Sequence, residues 1–111
     1  MIAKIWVDDV RDMPDGYDYQ SHTADNAIAR IKEGYHFNDI LEISLDYDAG
    51  DYVWGGGDYI KILEWLEHKR LRDIEWRNYI RDNMTFHLHT ADPVGRENMR
   101  RIIQKNGWRE V

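Results

Sequence analysis

The chain has 111 residues, of which 42% are apolar, with a net charge of −6 and no cysteine. That length suits one domain over residues 1–111 with its own core and leaves no room for a second. Disulfides and thiolate metal sites are excluded, and the acidic balance argues against an extended nucleic-acid surface. No apolar run approaches the ~20 residues of a membrane span and no signal-peptide layout is present, so the cytoplasm is the expected compartment.

In chain order, "IAKIWVDD" (2–9) is an apolar, branched run that stops abruptly at two acids, as a strand buried on both faces of a parallel sheet would. Pro14, Asp15 and Gly16 are turn chemistry, followed by a short edge-like strand around 17–21. "TADNAIARIKEG" predicts a helix capped by Thr23, with Ala24, Ala27, Ile28 and Ile31 as its stripe and Gly34 as its stop. "ILEISLDYD" (40–48) is the next strand, again ending in acids. "AGDYVWGGG" reads as a loose loop, after which Asp58 caps a helix with the stripe Tyr59, Ile62, Leu63 and Leu66. Residues 71–83 predict a short helix and a turn, and "MTFHLHTA" predicts another central strand. "PVGRENMRRIIQKNG" predicts a final helix, with Asp92 at the cap, Pro93 at the first position and Asn106-Gly107 as the stop.

Strands alternating with helices imply βαβ units and a parallel sheet, whose functional residues gather at the carboxyl ends of the strands. Three predicted strand ends carry Asp8-Asp9, Asp46-x-Asp48 and His87-x-His89. Crowded carboxylates repel one another, and a hard divalent cation, Mg²⁺ or Mn²⁺, is the ordinary remedy. Asp8, Asp9, Asp46 and Asp48 are therefore the candidate metal ligands, with Asp48 either on the face of Asp46 or on the loop above. The alternative is that these acids merely cap or solvate loops. His87 and His89 alternate with Phe86 and Leu88, so the imidazoles would face one helical layer and the apolar groups the other. His89, nearer the rim, is placed to bind metal or transfer a proton. His87, deeper, would be a ligand or the partner of an aspartate. Gly95 in the first turn of the last helix leaves amides uncovered, and Arg96 adds a guanidinium fork, so Gly95, Arg96 and Asn98 are candidates for holding a phosphate. The plainer reading is an ordinary helix start with a solvated arginine.

Together "IWVDDVRDMPDGYD", "EISLDYDAGD" and "HTADPVGRENM" resemble the cyclic-phosphate-processing receiver domains, and through them the response-regulator receivers. The resemblance implies a three-layer, receiver/flavodoxin-like α/β fold with parallel strands in the order 2-1-3-4 and a missing or rudimentary fifth. It implies Asp8 and Asp9 as the acidic pair of the first strand and Asp46 as the equivalent of the phosphoacceptor. It also implies a metal-dependent phosphoesterase acting on a cyclic nucleotide or a cyclic-phosphate end. Two features depart from an ordinary receiver: "WREV" at the fifth-strand position carries no lysine, and the histidines are superfluous to a phosphorylation switch. On this reading His87, His89 and Asp46 are catalytic and a small cyclic phosphate is the partner. A degenerate receiver that binds without turnover is the rival. An acidic mimic of nucleic acid ranks below both, because its charges would be spread over a face.

Overall fold

The computed structural model describes all 111 residues. Five parallel strands, β1 (Ile2–Val7), β2 (Tyr19–Ser21), β3 (Ile40–Leu45), β4 (Met84–Leu88) and β5 (Arg109–Glu110), lie in the order β2-β1-β3-β4-β5. Four helices accompany them: α1 (Ala24–His36), α2 (Ile60–Arg72), α3 (Ile74–Asn83) and α4 (Pro93–Lys105). The fold is receiver/flavodoxin-like, and the fifth strand is the two-residue remnant expected.

The layers differ from the expectation. From β2 through β5 every crossover advances in the same direction across the sheet, and right-handed connections then put every helix on one face. The step from β1 to β2 runs the other way, but residues 8–18 contain no helix to cover the second face. One core cluster of 23 residues joins Ile5, Ile43 and Phe86 of the sheet to Ile31 of α1, Leu66 of α2, Ile80 of α3 and Met99 of α4. The opposite face carries Lys4, Glu42, Ser44 and His87, with Ile2 66% and Ile40 48% exposed. The imidazoles therefore face an uncovered side of the sheet, not a second helical layer. The β1–β2 connection partly replaces the missing layer. Asp18 donates its amide to the Lys4 carbonyl and accepts from the Lys4 amide, and Tyr17 packs edge-on against Trp6.

Local chemistry explains most boundaries. Thr23 caps α1 by accepting from the Asn26 amide, an interaction worth about 1 kcal/mol. Gly34 does not stop α1: it lies buried within the last turns, where a Cβ would press into Leu41, and the left-handed residue beyond the helix is Asn38, at φ 54°. Asp58 does not cap α2, whose first residues have no side-chain cap; its carboxylate instead takes the Ala49 amide. Residues 71–83 are almost wholly helical. Asp73 alone separates α2 from α3 and caps the latter through the Glu75 and Trp76 amides. Asn106-Gly107 ends α4 as expected, with Gly107 at φ 69°.

Candidate functional site

β1 and β3 are in register from Ile2↔Ile40 to Val7↔Leu45, so both end at the same height and their acids emerge together. Asp8, Asp9 and Asp46 each offer a carboxylate oxygen within 4.8 Å of the others. Asp8 and Asp9 can share the site because the strand ends at Val7 and the chain turns there. Asp8 is fully buried, and its Oδ1 accepts from the amides of Val10 and Arg11, each at 2.9 Å. Burial pushes the Asp8 carboxyl up, but those amides, joined by His89, outweigh it and hold it below the usual carboxylate range. Asp9 moves the other way: desolvation raises it, and the neighbouring charges of Asp46 and Asp8 raise it further. Asp46 accepts from the Tyr47 amide at 2.8 Å. Like charges so close, one of them already resisting ionisation, fit a hard divalent cation through the chemistry of an all-oxygen donor set.

His89 sits directly after β4 and joins this centre. Its Nε2 is 2.8 Å from Asp8 Oδ2, and its Nδ1 is 2.8 Å from the hydroxyl of Ser44, itself fully buried. The ring stacks on Trp6 with centroids 3.7 Å apart and planes within 6°. Burial pushes its pKa down, with Asp8 opposing, so the ring is neutral at neutral pH. An ionised Asp8 requires the proton on Nε2, and Nδ1 then accepts from Ser44. Both nitrogens are engaged, and only 7% of the side chain is exposed. Arg11 closes the rim by donating to the His89 carbonyl at 3.0 Å.

The other candidates lie differently. Asp48 is exposed on the loop and accepts from the Gly50 amide at 2.8 Å; it is not among the three converging carboxylates. His87, on the open face, has its Nδ1 3.0 Å from the Val111 backbone oxygen and no contact with the acids. The start of α4 is closed to an anion, because the Asp92 carboxylate accepts from the Val94 and Gly95 amides and brings its own negative charge. Gly95 is glycine for packing, since a Cβ there would overlap the Tyr47 ring. Arg96 donates to the Thr90 carbonyl, and Asn98 is half-buried further along α4. On β5, Arg109 pairs with Thr85 and donates to the Asp82 and Met84 carbonyls, at the far end of β4 from the acids. No basic side chain of β5 reaches the carboxylates.

Sequence reading missed Trp6, Arg11 and Ser44. The available signal was Ser44, a lone hydroxyl in the run "ILEISL" that pairs across the sheet with Trp6 on one side and His87 on the other. A groove of about 520 Å³ between Tyr35, Asn38 and Tyr79 is the largest cavity. It lies at the amino ends of β3 and β4, away from these groups, where parallel sheets do not ordinarily bind ligands.

A parallel sheet ordered 2-1-3-4-5, with two acids after its first strand and one after its central strand, defines a receiver-like domain. The chain belongs to the family described as the cyclic-phosphate processing receiver domain, whose family model matches residues 3–105. No curated protein and no solved structure matches it. No helix is long and apolar enough to cross a membrane.

Proposed function

We propose that the chain is a metal-dependent phosphoesterase that opens a cyclic phosphate. The observation supporting this is the convergence of Asp8, Asp9 and Asp46 within 4.8 Å of one another, with Asp8 locked in place by a buried imidazole. In the reaction, water adds to phosphorus, one P–O ester bond breaks, and a proton passes to the departing oxygen. Asp8, Asp9 and Asp46 would hold one Mg²⁺ or Mn²⁺, which when bound supplies Lewis-acid polarisation of a phosphoryl oxygen. His89 is a positioning residue: donating to Asp8 and accepting from Ser44, it fixes the carboxylate's direction, as partners behind a metal ligand do. The anion contact passes from Gly95, whose amide is taken by Asp92, and from Arg96, whose Nη2 is held by the Thr90 carbonyl and whose Nε is buried without a partner, to exposed Arg11, whose remaining N–H groups take a non-bridging oxygen.

The second reading, a receiver that binds ligand without turnover, is favoured by one observation. Both nitrogens of His89 are engaged and His87 is remote, so neither histidine of the β4 run is free to serve as the acid. A panel of 3′,5′- and 2′,3′-cyclic mononucleotides and cyclic-phosphate ends, each with Mg²⁺, Mn²⁺ and Zn²⁺, separates the two. Ring opening dependent on the cation is the outcome expected of the hydrolase. Binding without product across the panel leaves the receiver module.

A further inference from the structure

The segment read from sequence as a loose loop is pressed against the domain at three glycines. A Cβ at Gly50 would overlap the Asp9 carboxylate, one at Gly55 the Thr23 side chain, and one at Gly56 the Asp25 carboxylate. The Asp25 amide donates to the Gly55 carbonyl at 2.9 Å, which ties the loop to the start of α1. Such close approach is the property only glycine supplies. Its effect is to place two aromatic rings beside the end of β2. Tyr52 stacks on His22 with centroids 4.8 Å apart and planes 16° from parallel, and Trp54 stands 76% exposed. Gln20, His22, Thr23, Asn26, Tyr52 and Trp54 line a cleft of about 300 Å³.

We propose that this cleft is a nucleobase subsite, so that the cyclic phosphate opened at the acid cluster is a cyclic mononucleotide; this rests on the phosphoesterase reading above. The cleft and the acids share a frame. His22 Nδ1 lies 3.1 Å from the Asp8 carbonyl oxygen, and the loop bearing Tyr52 and Trp54 begins against Asp9 at Gly50. A ligand with its phosphate at the acids therefore has its next flat group beside the stacked rings. An exposed tryptophan next to a stacked pair is suited to a planar, electron-poor ring, because every base has a π-face for an aromatic to meet. The edge chemistry also matches. Asn26 uses its Oδ1 on the Ser21 hydroxyl, leaving its amide hydrogens to donate, whereas Gln20 spends its amide on the Arg11 carbonyl and the Met13 amide and acts as wall. Four of the six lining residues are polar, which does not suit a lipid or an aliphatic side chain. The net charge of −6 does not suit a polynucleotide backbone, so the ligand is a mononucleotide.

The test uses ligands that lack a cyclic ester, so that binding is read apart from turnover. Adenosine 5′-monophosphate and ribose 5-phosphate are titrated into the full chain with Mg²⁺, by calorimetry and by ¹H–¹⁵N spectra. The nucleotide should bind at least about tenfold more tightly than the sugar phosphate, the scale of one base–aromatic stack, and should shift the signals of His22, Tyr52 and the Trp54 indole. Trp54→Ala should erase most of that difference, and Trp54→Phe should restore most of it. Because Trp54 is exposed, an unchanged melting curve for each variant verifies folding. Equal affinity for the two ligands, no binding of either, or shifts that avoid the cleft would overturn the subsite whatever the turnover assays show. Base-dependent binding that survives a wild type without hydrolysis would uphold the subsite and sink only the phosphoesterase reading.

Discussion

His89→Ala is the substitution whose consequences the structure specifies most fully. It removes a ring stacked 3.7 Å from Trp6 and two hydrogen bonds of 2.8 Å, one to Asp8 and one to Ser44. The stack contributes about 0.5–1.5 kcal/mol beyond burial. The bond to a charged group contributes about 1.5–3 kcal/mol and the neutral one about 1 kcal/mol. Asp8 keeps its two amide donors, which limits the loss on that side. Ser44 is fully buried and keeps no side-chain partner on the sheet face. A destabilisation of about 3–5 kcal/mol follows, equivalent to a fall in Tm of roughly 12–20 °C for a domain of this size. Urea unfolding followed by tryptophan fluorescence measures it, and His89→Gln, which can keep one of the two bonds, should recover part of the loss. A His89→Ala variant within about 1 kcal/mol of wild type would refute the network, because nothing buried and paired in this way can be removed so cheaply.

Three other outcomes follow from the geometry. Asp46→Asn should hold or raise the Tm of the metal-free protein by relieving repulsion on Asp9, while abolishing most of the stabilisation that millimolar Mg²⁺ or Mn²⁺ should give wild type, about 2.7 kcal/mol at a hundredfold excess over Kd; thermal scans with and without cation check both halves. Gly95→Ala should cost about 1–3 kcal/mol by driving a methyl into the Tyr47 ring, and Tyr47→Ala in the same chain should return part of it, as a double-mutant cycle in urea would show. Glu110 is held below the usual carboxylate range by its hydrogen bonds from Arg100, so its contribution is present above the unfolded pKa of about 4.3 and fades as pH falls through the lower folded value; the free energies of urea unfolding of wild type and Glu110→Gln should differ by under about 1 kcal/mol at pH 6 and converge below pH 4.

Much of the site was legible because its signals are local. An apolar strand must end where charge begins, so "WVDD" and "SLDYD" mark both strand ends and the acids that converge there. The closed start of α4 was half legible: Asp92 and Pro93 announce the cap, but whether Asp92 occupies the amides or leaves them for an anion depends on a side-chain torsion that no pattern encodes. Gly95 and the glycines of the 50–57 loop show the same limit. A glycine in sequence marks freedom, whereas here Tyr47, Thr23 and the carboxylates of Asp9 and Asp25 occupy the space a side chain would need. The histidine pair was read by period two, which assigns both imidazoles to one face correctly but says nothing of distance from the rim. Only His89 lies beyond the last strand residue, at the height of the acids. The absent helical layer depends on the direction of each crossover, a property of strand order and not of any segment.

If Asp8, Asp9 and Asp46 form a cation-dependent centre for opening a cyclic phosphate, ring opening must need both the cation and Asp46. ³¹P NMR of a 2′,3′-cyclic mononucleotide, incubated with wild type or Asp46→Asn and with Mn²⁺ or a chelator, tests it most directly. The cyclic-phosphate resonance should give way to a phosphomonoester only with wild type and cation together. A cyclic resonance persisting in all four samples, or consumed equally by Asp46→Asn or in the chelator, would contradict it.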